Sequence, residues 1–123
     1  RNFTEQWRVQ ALRLAQRFPE MGIPSQLKGV VELYDVTDDW IPIYDKTDLP
    51  GFYVAIGTSG NQFKNAPVVG KIMTALIDAC ESGQDHDAAP VTFHLDKVNY
   101  ELNLGTFSRN REINPDSSFS VIG

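Results

Sequence analysis

Residues 49–66 read LPGFYVAIGTSGNQFKNA. The apolar run Phe52-Tyr53-Val54-Ala55-Ile56 has the composition of a short buried strand. It runs into the small-residue loop Gly57-Thr58-Ser59-Gly60, then Asn61, Gln62, Phe63 and Lys64, and a helical pattern begins near Ala66. A strand that enters a helix through such a loop sets bare backbone N–H groups and one cation at the helix N-terminus. That arrangement suits an anion or an electron-rich heteroaromatic ring. Glycine also lets backbone approach a planar ring closely. The same residues have a plainer use, in which Gly57 and Gly60 make a tight turn and Lys64 is a solvated charge.

Working outward, Val68, Val69, Ile72, Met73, Leu76, Ile77 and Cys80 recur at helical spacing and predict a helix from residue 65 or 66 to Ser82. Pro67 is tolerated in its first turn and Gly83 suits the position after its end. On the other side, the β-formers of Gly29–Val36 predict a strand, Thr37-Asp38-Asp39 a turn, and Trp40–Tyr44 a second short strand, together a β-hairpin. Pro42 marks an edge or irregular position. Asp45–Gly51 is a turn-rich loop ending in Pro-Gly.

Near the start, Asn2 with Glu5 reads as a helix cap, and Trp7, Ala11, Leu14, Ala15 and Phe18 follow at helical spacing. That helix should stop at Pro19 or by Gly22. Val91, Phe93 and Leu95 alternate with Thr92, His94 and Asp96 as in one short strand. Asn99–Gly123 shows little periodicity and is expected to be an irregular tail.

The 123 residues suffice for a modest core, and the net charge of −5 comes without a basic stripe, which argues against nucleic acid as a partner. No apolar run approaches the ~20 residues of a membrane helix. Cys80 is the sole cysteine, which excludes an internal disulfide framework and a multi-cysteine metal site. His86 and His94 are too few for a histidine-based zinc site without carboxylate help. Asp38, Asp39 and Asp45 lack EF-hand spacing and read as turn residues. Ser59 is not in a nucleophile-elbow pattern, and His94 with Asp96 has no accompanying nucleophile. No metal site and no catalytic side chain is assigned.

Four motifs in order carry a resemblance: Glu32-Leu33-Tyr34-Asp35-Val36-Thr37-Asp38-Asp39, Trp40-Ile41-Pro42-Ile43-Tyr44-Asp45, Leu49-Pro50-Gly51-Phe52-Tyr53-Val54-Ala55 and Gly57-Thr58-Ser59-Gly60-Asn61-Gln62-Phe63-Lys64. Over residues 28–83 the chain resembles the C-terminal part of the glycine/D-amino-acid oxidase family of flavoenzymes, closest to its sarcosine oxidase and dimethylglycine dehydrogenase branch. The resemblance implies an α+β fragment of a two-domain α/β FAD-binding enzyme. Residues 1–27 would come from the substrate-domain side, 28–96 from the FAD-binding domain, and 97–123 would form the tail. It implies FAD-dependent oxidation of the C–N bond of an amino acid or N-methyl amino acid, with Gly57 to Lys64 beside the flavin. Lys64 would bind substrate carboxylate or flavin edge, and Tyr34 would face substrate. Covalent-flavin relatives carry a cysteine where this chain has Glu32, so no thioether forms there. Gln62 stands where a glycine is common and Asn61 where some relatives have histidine, which bears on substrate identity.

The family's N-terminal Gly-x-Gly-x-x-Gly unit, which grips the FAD pyrophosphate, is not in this sequence. The expected partners are therefore that FAD-binding part, in the same protein or a second chain, and a small carboxylate-bearing amine. No signal or transit segment is seen, and the compartment is unknown, with cytoplasm or mitochondrial matrix the expectation. The alternative is a non-enzymatic small α+β module or subunit that binds protein.

Overall fold

The computed structural model describes residues 3–26, 28–30 and 32–119, and the chain divides between Leu33 and Tyr34 into two units. The fold is α+β: two helices and two small antiparallel sheets. No helix among the described residues is long and apolar enough to cross a membrane.

The first unit carries α1, Glu5–Arg17. Trp7, Ala11 and Ala15 form a half-buried stripe at i, i+4, i+8, while no residue of the helix is fully buried. Thr4 stands at the N-cap position without a side-chain capping bond, and the Asn2 cap read from the sequence lies outside the described residues. The helix ends as expected before Pro19: the Phe18 N–H donates to the Leu14 carbonyl, and Pro19–Met21 tighten into a 3-10 turn closed by Gly22 at φ +63°.

The second unit is organised on α2, Ala66–Glu81, with β1 (Ile43–Lys46), β2 (Tyr53–Ile56), β3 (Thr92–Leu95) and β4 (Tyr100–Asn103). The strand expected at 29–36 does not form; its described residues have no regular structure. The hairpin joins the next two segments instead, with Ile43 opposite Ile56 and Lys46 opposite Tyr53. Its loop closes through a type II turn, where Pro50 supplies the fixed φ, Gly51 at φ +74° the left-handed residue, and the Phe52 N–H bonds to the Leu49 carbonyl.

The segment expected to be an irregular tail carries regular structure. It contributes β4, paired with β3 from Thr92–Asn103 to Leu95–Tyr100, and a 3-10 turn over Leu104–Phe107. A two-stranded hairpin is marginal alone. Packing supplies the rest: Ile72 and Leu76 of α2 meet Val91 and Leu104, with Met73, Ala79, Cys80, Phe93, Leu102 and Phe107 around them. Leu76 and Leu104 are fully buried, each worth about 1.5–3 kcal/mol of apolar transfer. Cys80 belongs to this packing, and burial pushes its thiol up.

Candidate functional site

The turn from β2 into α2 is built on left-handed backbone. Gly57, Ser59 and Gly60 have φ of +71°, +49° and +77°. Only glycine adopts this region without penalty, so Ser59 is held there by its surroundings. It is fully buried, and its hydroxyl donates to the Gly57 carbonyl.

Residues 34–37 lie along this loop and hold it. The Asp35 Oδ2 accepts the N–H of Gly57 at 2.8 Å and of Thr58 at 3.1 Å, and its Oδ1 accepts the Thr58 hydroxyl. The Asp35 carbonyl accepts the Ser59 N–H at 3.0 Å. The bonds from the Thr58 hydroxyl and amide lower the Asp35 pKa below the ordinary carboxylate value. On either side of Asp35, the Tyr34 ring covers Gly60 and the Thr37 methyl covers Gly57. A Cβ on Gly60 would stand 2.8–3.0 Å from the Tyr34 ring, and one on Gly57 only 2.4 Å from Thr37 Cγ2.

This changes what the loop offers. The sequence suggested bare amides and an open approach at the glycines. The amides of Gly57, Thr58 and Ser59 instead bond to Asp35, and that of Asn61 bonds to the Thr58 carbonyl. The ring lying on Gly60 is the protein's own Tyr34. Gln62 accepts from the Tyr44 hydroxyl at 3.1 Å and from the Asn65 amide at 2.8 Å, and donates to Asn61. Asn65, at the N-cap of α2, makes no capping bond.

Turned outward are side chains: Tyr34 at 57% exposure, Phe63 at 97%, and Lys64, which is exposed in the turn Phe63–Asn65 just ahead of α2. Of the site residues read from the sequence, Tyr34 and Gly57–Lys64 are thus brought together in one region. Phe63 and Lys64 stand just ahead of the N-terminal end of α2, the positive end of the helix. Glu32 is exposed and outside any regular element.

Beneath the loop lies a set of buried charges that the sequence read as turn chemistry. Asp39, 1% exposed, accepts from the Ile41 N–H at 3.1 Å, as a turn aspartate does. It also receives Arg111: Nε reaches Oδ2 at 3.1 Å and Nη2 reaches Oδ1 at 2.6 Å. That guanidinium holds the Asp39 carboxyl down at about 2. The Thr37 hydroxyl, in turn, donates to the Ile41 carbonyl at 2.7 Å and to Asp39 Oδ1 at 3.3 Å.

Asp45, fully buried, accepts at Oδ2 from the Arg109 N–H at 2.8 Å, from Arg109 Nη1 at 3.1 Å and from the Ser108 hydroxyl at 3.2 Å. Arg109 also pairs with Asp48 at 2.7 Å and Asp87 at 2.9 Å; Asp87, shared with Lys46, is pulled down to about 2. His86 is buried beside them: its Nδ1 accepts the Val91 N–H at 3.0 Å, and Nε2 stands 3.6 Å from Asp45 Oδ1. Arg109 and Arg111 sit in the segment expected to be an irregular tail. Their spacing by two was visible, but ion pairs spanning more than 60 residues leave no local pattern.

An open cavity of about 550 Å³ lies over this region, lined by Val36, Asp39, Ile43, Ile56, Gly57 and Arg111 among others. Arg111 is fully engaged there, with Asp39 and with the carbonyls of Ile41 and Ser108. Within the cavity, Arg111 and Asp39 therefore face one another and lock the turn in place. No protein family, characterised protein or solved structure matches this chain.

Proposed function

We propose that this chain is the C-terminal portion of an FAD-dependent oxidoreductase that oxidises the C–N bond of an amino acid or N-methyl amino acid, such as sarcosine or dimethylglycine. The observation that carries the reading is the 57–64 loop: a strained, internally bonded turn that turns Phe63 and Lys64 outward at the start of α2. A phenylalanine 97% exposed is an apolar surface suited to being covered by a flat ring, and the adjacent Lys64 supplies the partner for negative charge. The order of the four motifs over residues 28–83, which resembles the glycine/D-amino-acid oxidase family, supports FAD as that group.

Bound FAD would supply the hydride-accepting chemistry toward the substrate carbon. This chain's residues orient and stabilise. Lys64 neutralises a carboxylate of the substrate or negative charge at the flavin edge. The N-terminal end of α2 adds partial positive charge on the same side. Phe63 and Tyr34 exclude water from one face. Residues 57–60 act as scaffold, with their amides engaged by Asp35. No side chain here is needed as a nucleophile. The dinucleotide grip would come from a separate part of the protein or a partner chain.

The test is the absorption spectrum of the purified full-length protein, followed by turnover on sarcosine, dimethylglycine and the common D-amino acids. The reading expects a flavin band bleached by one of these substrates and released by acid, since Glu32 cannot form a thioether. It also expects the 123-residue chain alone to bind FAD weakly. A full-length protein without flavin, or submicromolar FAD binding by the isolated chain, overturns it. The first result would favour the non-enzymatic binding module.

A further inference from the structure

We propose that Asp35 is a positioning residue for the 57–64 loop, holding it in the shape that presents Phe63 and Lys64. Its consequence for substrate rests on the flavin reading above; its consequence for the loop does not.

Four observations converge. The Asp35 carboxylate makes three hydrogen bonds to the loop: two to consecutive amides, Gly57 and Thr58, and one to the Thr58 hydroxyl. The carboxylate is exposed and takes no part in the buried charge set, so its bonds serve the loop rather than the core. The neighbours of Asp35 reinforce it, with the Asp35 carbonyl on Ser59, the Tyr34 ring on Gly60 and the Thr37 methyl on Gly57. Finally, a run in which Gly57, Ser59 and Gly60 all have positive φ is not a conformation the chain holds unaided. Something outside the loop must over-determine it, and the 34–37 strap is what touches it there.

Asp35 therefore sets where Lys64 stands without touching substrate. The chemistry also separates its charge from its bonds. In Asp35→Asn the amide oxygen can still accept both N–H groups, and the NH2 can donate to the Thr58 hydroxyl, which then accepts. In Asp35→Ala both amides lose their acceptor.

The experiment is amide hydrogen exchange on the full-length protein, wild type against Asp35→Ala, Asp35→Asn and Thr58→Val, with substrate kinetics alongside. Exchange at Gly57 and Thr58 should rise about tenfold or more in Asp35→Ala and a few-fold in Thr58→Val, and stay within about threefold of wild type in Asp35→Asn. Exchange in α2 should not change. With flavin content kept, KM for a carboxylate-bearing amine should rise about tenfold in Asp35→Ala, with a smaller change in kcat, and Asp35→Asn should restore it. Unchanged loop exchange in Asp35→Ala overturns the proposal, as does a rise shared equally by α2. If that variant fails to fold, unchanged exchange in Thr58→Val overturns it. Faster loop exchange with unaltered kinetics in a flavin-loaded enzyme shows that Asp35 does not position the site. A wild-type protein without flavin defeats the functional reading alone, and the exchange data still decide whether Asp35 holds the loop.

Discussion

Asp39→Asn is the perturbation whose size follows most directly from the geometry. Asp39 is 1% exposed and meets Arg111 through two bonds, at 3.1 and 2.6 Å. Arg111 lowers its pKa from 3.8 to about 2. At about 1.4 kcal/mol per pH unit, that difference corresponds to about 2 kcal/mol of stability at neutral pH. A folded-state pKa below the unfolded one means the contribution is full above pH ~4 and is lost as pH falls through about 2. Substitution costs more than the titration alone, because the guanidinium of Arg111 stays in place with its carboxylate gone. Breaking a buried pair from one side costs about 3–5 kcal/mol.

Urea unfolding of the full-length protein, followed by tryptophan fluorescence, should therefore show a loss of about 2–5 kcal/mol in Asp39→Asn at pH 7. The gap between wild type and variant should narrow by about 1 kcal/mol between pH 5 and pH 3, because only the wild type has this proton to take up. Arg111→Lys should recover part of the loss seen in Arg111→Met, since an ammonium supplies charge but not the two-pronged geometry. A loss under about 0.5 kcal/mol, or a gap that does not move with pH, would refute the claim that this pair locks the turn.

Further outcomes can be checked separately. Gly57→Ala should cost more than Gly51→Ala: both have positive φ, a penalty of about 1–2 kcal/mol, but only at Gly57 does the new Cβ meet an atom at 2.4 Å, which thermal unfolding of the two variants would resolve. Lys64→Met should lower kcat/KM for carboxylate-bearing amines by about 30- to 1000-fold while leaving flavin content intact, and less for an amine without the carboxylate; equal losses would assign Lys64 to the flavin or the fold. Leu76→Ala, removing a fully buried side chain at the centre of the α2 packing, should destabilise by about 2–5 kcal/mol in the same urea assay. A chain truncated after Phe107 should fail to give a cooperative unfolding transition, because Asp39 and Asp45 would lose Arg109 and Arg111 and the segment that covers them.

The sequence by itself determined the elements whose signals are local. The period of Ile72, Met73, Leu76 and Cys80 marks α2, and the stop expected at Pro19 or by Gly22 falls just after the observed end of α1 at Arg17. The passage from β2 through Gly57 and Gly60 into α2 was legible because left-handed backbone needs glycine. Tertiary structure decided the rest. Residues 29–36 have strand composition, but β1 took β2 as its partner, and the 34–37 segment became a strap bonded through Asp35 to the loop rather than a strand. Propensity describes what a pleated surface would accept; it does not say which neighbour arrives. The last segment, without periodicity, carries the arginines that close the unit onto Asp39 and Asp45. Those pairs depend on burial and on side chains more than 60 positions apart, and neither quantity exists until the chain has folded.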